Sequence, residues 1–367
     1  MDMRLIDSLT YRPFNKFMIK NLMEELMATG KENFYKQMAL EGDDPIVRTG
    51  VGIAYPVWAQ YKERLDWLEG FSKYAGVGIS RSPGVKPNTE VVNNWGERWI
   101  YPLDSLDGIC IEHPIASWDA LKTYIPPDPD AFTDWKQTKV NFQKNNEQGH
   151  VNHGGTDHGF IFLRLTYLRG FENLMIDIAE ERPELFDLIK IVENYWFEVA
   201  KRWIDCGVTT IGFGDDMGMQ NALPISLDDW RKYIKPSYKR IFSYCRAHGV
   251  HTSLHSDGYI LDIIPDLIEC GVSSINPQDL VNGLDNIKRL AWGKVYIHLD
   301  IDRQNITVFG TPEEVDAHIF NCIKTLGSSK GGMSMVWGVY PGTPIENIEA
   351  CVKALDKYAT YWVGREE

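Results

Sequence analysis

The sequence is poor in the features that would classify it quickly. Its six cysteines (Cys110, Cys206, Cys245, Cys270, Cys322, Cys351) are scattered and form no CxxC pair. That excludes a disulfide framework and a zinc ribbon, and reads as reduced thiols in a cytosolic protein. No uninterrupted apolar run reaches membrane-spanning length, and the first residues carry no apolar core of a secretory signal. The expectation is a cytoplasmic protein without membrane contact. Basic residues are outnumbered, and a net charge of −13 excludes a general nucleic-acid or anionic-membrane binder. No GxGxxG follows a strand, so an open dinucleotide-binding sheet lacks its main signal. Internal repeats and low-complexity tracts are missing too.

What is present suits a globular enzyme. A chain of 367 residues, 44% hydrophobic and 24% charged, is long enough to bury a substantial core. From about residue 158 strand-like and helical patterns alternate. The apolar run 160–165 reads as a strand and precedes helical periodicity through Phe171, Leu174, Met175 and Ile178, and a second helix starts near Pro183. Strands are expected at 209–213, 250–255, 272–275, 294–299 and 333–337, each followed by a helix. Ser226 to Asp229 resembles a capping box, and Thr311-Pro312 and Thr343-Pro344 each offer a threonine cap, proline at the first helical position and glutamate at the third. Such alternation predicts a parallel sheet with helices outside. With strands from the N-terminal part, such as 51–54, the number approaches the eight of a (β/α)8 TIM-type barrel.

The first 150 residues read differently. Helical patterns at 16–28, 31–38 and 57–71 precede a segment rich in Gly, Pro and Asn, and then 95–101 and 108–112 read as a small hairpin. The chain is thus expected to be one barrel domain over 1–367, with 1–150 an N-terminal helical and hairpin elaboration plus the first barrel part, and 151–367 the main βα repeats.

Polar residues collect at the ends of the expected strands. Asp215 and Asp216 follow one; His255 and Asp257 end the next; Asn276 and Gln278 end the one after. His298 and Asp300 end another, and Trp337 and Tyr340 close the last. Singly, each has a plain explanation, since a carboxylate after a strand is often a helix cap. A barrel, however, brings all its strand ends to one rim, where such residues can bind a metal or move a proton. Within 294–302, Tyr296, His298 and Asp300 share one face and Val295, Ile297 and Leu299 the other; His251, Ser253 and His255 likewise share a face.

The series Leu168-Arg169-Gly170-Phe171-Glu172-Asn173-Leu174, Gly214-Asp215-Asp216-Met217-Gly218, Leu254-His255-Ser256-Asp257-Gly258 and Gly271 to Asn276-Pro277 resembles the uroporphyrinogen decarboxylase superfamily. The stretches 309–315 and 341–347 extend the likeness in the same order, over nearly the whole chain. The resemblance implies a distorted (β/α)8 barrel. It also implies one of two activities. True decarboxylases carry an N-terminal Arg-Gln-Ala-Gly-Arg motif; here the region 44–58 holds Arg48 and no such motif. The corrinoid-dependent branch includes enzymes that hold zinc through His-x-Cys and a later Cys. Those positions correspond to His255, Asp257 and Trp337, so two thiolates are replaced, one by a hard oxygen donor.

On this resemblance the chain is expected to be the methyltransferase component of a corrinoid-dependent system in anaerobic metabolism. It would move a methyl group from a small methylated substrate, such as an aryl methyl ether (O-demethylation), to the cobalt of a partner corrinoid protein. His255, Asp257 and Asp216 are the expected catalytic residues, with His255 and Asp257 as ligands of a zinc ion. Asp215, Asn276, Gln278, His298, Asp300, Trp337 and Tyr340 are the expected substrate-binding residues. No Asp-x-His-x-x-Gly cobalamin motif occurs, so the corrinoid is expected on the partner. The alternatives are a cofactor-free decarboxylase of a tetrapyrrole or smaller acid, for which Arg48, Arg164 and Arg169 would line the pocket, a non-catalytic corrinoid or tetrapyrrole binder, and a structural protein. A homodimer is compatible with all of them.

Overall fold

The computed structural model describes residues 30–366, apart from Asp43 and Ser105. The helix expected at 16–28 lies outside the described residues. In chain order the strands are β1 (Thr49–Ile53), β2 (Ala75–Ile79), β3 (Thr89–Val92), β4 (Arg98–Tyr101), β5 (Ile109–Glu112), β6 (His153–Gly155), β7 (Thr210–Gly214), β8 (His251–His255), β9 (Ser274–Asn276), β10 (Tyr296–Asp300) and β11 (Met333–Val339). Eight of them form one parallel sheet in the order β2-β1-β11-β10-β9-β8-β7-β6, with helices between successive strands. This is the (β/α)8 TIM-type fold. The other three, β3-β4-β5, form a small antiparallel sheet. No described helix is long and apolar enough to cross a membrane.

The chain falls into two compact units. Unit 1 takes the described residues up to Pro87, then Leu103–Asp107 and Ile275 onward. Unit 2 takes Asn88–Pro102 and Gly108–Ser274.

In unit 1, β1 pairs in parallel with β2 and β11, Val51 lying opposite Val77 and Trp337. All seven residues of β11 and all five of β10 are buried. The two-face alternation expected for 294–302 therefore does not separate core from solvent; a parallel strand covered on both faces has no wet side. The helix Pro312–Leu326 opens with the expected capping box: Thr311 Oγ1 accepts from Glu314 N, and Glu314 reaches back to Thr311 N. The second Thr-Pro start differs. Thr343 donates its hydroxyl to Tyr340 O, and the helix Ile345–Tyr358 begins after Pro344 without a side-chain cap. The expected helix 57–71 is broken into Tyr55–Tyr61 and Glu63–Asp66 at Lys62, whose φ is +44°.

Unit 2 carries β6-β7-β8 and the small sheet, which has three strands rather than the expected two. The apolar run 160–165 is not a strand: helix Phe162–Arg169 begins there, and the strand is β6, a His-Gly-Gly sequence just upstream. Gly154 makes that strand possible. A Cβ there would meet the Trp203 indole at 2.6 Å, and the Trp203 Nε1–H donates to Gly155 O at 2.9 Å. Packing selects the glycines against their low strand propensity. A buried ion pair ties the small sheet to helix Phe162–Arg169: Arg164 Nη1 donates to Glu97 Oε1 and Oε2 at 2.7 and 2.8 Å, and its guanidinium stacks 4.5 Å from the Trp95 ring centre.

Candidate active site

Strands β7 and β8 run in register, with Gly214 opposite His255, so the residues after each emerge at one level. The loops that follow are clasped backbone to backbone: Gly218 N donates to Asp257 O at 3.2 Å, and Tyr259 N to Met219 O at 2.8 Å. Two glycines permit this approach. A Cβ on Gly258, whose φ is +80°, would lie 2.1 Å from Gly218 O, and a Cβ on Gly218 would lie 2.3 Å from Tyr259 N. Ser256, fully buried, accepts Met217 N with its hydroxyl and completes the clasp.

The clasp fixes a cluster of imidazoles and carboxylates. Asp257 N donates to Asp216 Oδ1 at 2.9 Å. His255 Nε2 lies 3.6 Å from Asp216 Oδ1 and 3.5 Å from Asp257 Oδ1, and His158 Nε2 lies 3.3 Å from Asp216 Oδ2. Tyr167 OH meets His158 Nδ1 at 3.1 Å, and Arg164 Nη2 donates to His158 O, so the second imidazole is oriented from behind. The exposures of Asp216, His255 and Asp257, 23%, 33% and 41%, leave the cluster within reach of a ligand. Burial pushes the Asp216 carboxyl up. The His158 hydrogen bond, the charges of His158 and His255 and the Asp257 N–H outweigh it and hold Asp216 well below the usual carboxylate range. Asp216 is a fixed negative charge between two imidazoles.

Asp215, its neighbour, has a different place. It is fully buried and accepts from the backbone N–H of Ile161, Phe162 and Leu163 at 2.7–3.0 Å and from Tyr238 OH at 2.6 Å. It caps helix Phe162–Arg169 from across β7. The expected substrate contact is replaced by a structural one, because its lone pairs are used by the fold.

The remaining expected residues lie in unit 1, at the ends of β9, β10 and β11. Asn276 donates its side-chain amide to His298 O, and Gln278 bridges to Asp300. His298 Nδ1 meets Ser334 Oγ at 2.8 Å. Arg303 joins two of them, donating to Asp300 Oδ2 at 2.7 Å and to Tyr340 OH at 3.2 Å. Trp337 is 0% exposed, a core side chain rather than a wall of an open pocket. Thus unit 2 brings Asp216, His255 and Asp257 together, and unit 1 links Asp300 to Tyr340.

Sequence reasoning missed His158, Tyr167 and Arg303. A signal for His158 existed: Asp157-His158 follows β6 much as Asp215-Asp216 follows β7, but the strand itself was not recognised.

Asp216, His255 and Asp257 offer three ligand atoms within 4.8 Å of one another, and His158 adds a second nitrogen beside Asp216. Two imidazoles with carboxylate oxygens and no thiolate form a donor set that fits zinc or a harder divalent ion. The three arginines of the decarboxylase alternative are already paired. Arg48 holds Asp44 at 2.7 Å, Arg164 holds Glu97, and Arg169 holds Asp177 at 2.7 Å.

Known proteins resemble this one at the level of the fold. A methyltransferase from Methanosarcina mazei is similar in structure (TM-score 0.58, 16% identity), over 89% of this chain and 98% of that chain. A B12-independent methionine synthase from Shewanella sp. W3-18-1 is less similar (TM-score 0.40, 14% identity), over 62% of this chain and 66% of that one. So is a D-psicose 3-epimerase solved in the presence of D-fructose (TM-score 0.37, 8% identity), over 64% and 86%. No curated protein matches the sequence. The family model for uroporphyrinogen decarboxylase (URO-D) matches residues 111–358, a span that holds β6 to β11 and every residue of the clasped cluster. With most of its length inside that match, the chain belongs to the uroporphyrinogen decarboxylase family.

Proposed function

We propose that the protein is a methyltransferase of a corrinoid-dependent system. It takes the methyl group of a small methylated substrate, such as an aryl methyl ether, and passes it to the cobalt(I) of a partner corrinoid protein. The observation that carries this reading is the cluster of His158, Asp216, His255 and Asp257, an oxygen and nitrogen donor set at the ends of β7 and β8. The likeness of the fold to a methyltransferase along nearly that protein's whole length supports it. So does the pairing of Arg48, Arg164 and Arg169 with the chain's own carboxylates, which leaves them occupied rather than set out for a polyacid substrate.

The methyl carbon passes in line to cobalt, and the carbon–oxygen electron pair leaves on the oxygen. A zinc ion held by His255 and Asp257, with Asp216 and His158 beside them, would supply Lewis-acid stabilisation of that oxygen. The chain's own residues supply the rest. With a metal bound, the leaving oxygen takes its proton from solvent; without one, His255 Nε2, directed at the two carboxylates, passes it a proton instead. Asp216 holds both imidazoles, Tyr167 fixes the far nitrogen of His158, and the Gly218–Gly258 clasp keeps the loops from relaxing.

The test is an anaerobic assay in which the full chain, free cob(I)alamin and a panel of methoxylated aromatics are mixed. The loss of the cob(I)alamin spectrum and the gain of methylcobalamin are followed. Methylcobalamin formed in step with a demethylated product is the expected result. No methyl transfer to cob(I)alamin or to purified corrinoid proteins, together with carbon dioxide release from a carboxylated substrate, would move the protein to the decarboxylase reading.

A further inference from the structure

Unit 1 holds a second set of metal-ligating side chains, which the proposed reaction does not use. Asp279 opens the helical turn after β9, while His318 and Cys322 stand one turn apart on helix Pro312–Leu326; all three are buried. Asp279 Oδ2 lies 2.7 Å from His318 Nε2 and 3.9 Å from Cys322 Sγ, and that sulfur lies 3.6 Å from the same nitrogen. Around a tetrahedral zinc with bonds of about 2.0–2.3 Å, the nitrogen–sulfur and oxygen–sulfur edges come to roughly 3.5 Å and the nitrogen–oxygen edge to roughly 3.3 Å. The nitrogen–sulfur edge matches at 3.6 Å, the oxygen–sulfur edge is longer at 3.9 Å, and the oxygen–nitrogen pair, now hydrogen-bonded at 2.7 Å, would open to admit the ion.

The surroundings fit a ligand set. Asp302 N donates to Asp279 Oδ2 at 3.1 Å, and Leu280 N donates to Oδ1, which is the outer support that orients a metal-bound carboxylate. A second thiol shares this interior. Cys351 is fully buried on helix Ile345–Tyr358, which packs along helix Pro312–Leu326.

We propose that Asp279, His318 and Cys322, with Cys351 as the fourth donor, form a structural zinc-type site that ties the turn after β9 to the two C-terminal helices. The site is closed, as structural zinc sites are. On binding, each thiol gives up its proton to solvent as a metal–sulfur bond forms, His318 binds through neutral Nε2, and Asp279 binds as the carboxylate. This site contains sulfur, and the cluster in unit 2 does not, so the two can be told apart spectroscopically.

The test is cobalt(II) replacement of the bound metal in the full chain, read by absorption. The expected result is a thiolate-to-cobalt charge-transfer band that persists in His255→Ala, weakens in Cys351→Ser and disappears in Cys322→Ser. Where a cysteine variant fails to fold, His255→Ala, in which the unit 2 metal is lost, decides: it should still carry zinc as isolated, and stripping with a chelator should lower its thermal midpoint by roughly 5 °C or more. A wild type whose cobalt form shows no thiolate band, or a His255→Ala variant whose midpoint is unmoved by the chelator, would overturn the proposal. Neither outcome depends on methyl transfer.

Discussion

The two clusters of imidazole and carboxylate, one in each unit, share residue types and differ in what surrounds them. In unit 2, His255 and Asp257 are 33% and 41% exposed, on loops that can close together only because Gly218 and Gly258 lack side chains. In unit 1, Asp279, His318 and Cys322 are sealed under two helices. The first arrangement can receive a substrate; the second can only hold the fold. Residue type and spacing do not separate them, because burial is set by distant packing. The same contrast recurs across one peptide bond: Asp215 is consumed as a helix cap, and Asp216 stands among the clasped imidazoles and carboxylates.

The strongest way to break that contrast is to neutralise each aspartate. Asp216→Asn should cost methyl transfer on the order of 10²–10⁴-fold, and some stability too, because a carboxylate held below its usual range stabilises the fold at neutral pH. Asp215→Asn should cost mainly stability, about 2–3 kcal/mol in a denaturant titration, since an amide nitrogen in place of one oxygen leaves buried donors without an acceptor. Equal losses of methyl transfer in both would erase the distinction.

Glu97→Ala comes next. It leaves Arg164 buried without its counter-charge, and unfolding should become easier by about 3–5 kcal/mol. A loss below 1 kcal/mol would mean that the pair is not the tie between the small sheet and helix Phe162–Arg169.

A pH titration sharpens the comparison within β6. Burial pushes the His153 imidazole down to about 3 from an ordinary value of 6.5, so the unfolded chain takes up its proton first as pH falls. The His153 contribution is complete above 6.5 and is lost on the way down to about 3, on the order of 1 kcal/mol per pH unit. His153→Gln should flatten that part of the stability–pH curve. Asp216 titrates in the opposite regime: its depressed carboxyl stays ionised across this range, so acid loss of activity above pH 4 must come from another group. The smallest effect compares the two Thr-Pro helix starts. Thr311→Ala should cost about 1 kcal/mol through its capping box, and Thr343→Ala less, because that hydroxyl caps nothing.

Much of this was legible in the sequence. β7, β8, β10 and β11 announced themselves as apolar runs followed by helical periodicity, and Asp216, His255 and Asp257 were found because they end recognisable strands. β6 was not legible. His153-Gly154-Gly155 has no strand-forming side chain, and its reason lies in Trp203, far along the chain. The run 160–165 misled for a related reason: it is almost wholly buried and apolar save for Arg164, so it shows no helical face, and its helical start is set by Asp215 on another element. Missing β6 also hid His158. Arg303 sits in a loop after β10 with no local pattern, and only the folded chain places it against Asp300 and Tyr340.

The proposed working site is the clasped cluster of unit 2, with a metal bound through nitrogen and oxygen. Metal content of the anaerobically purified chain, measured by mass spectrometry for wild type, His255→Ala and Asp257→Ala, tests it most directly. Both variants are expected to lose the same one zinc per chain relative to wild type, while any thiolate-bound zinc at Cys322 remains. Equal metal content in all three proteins would contradict it.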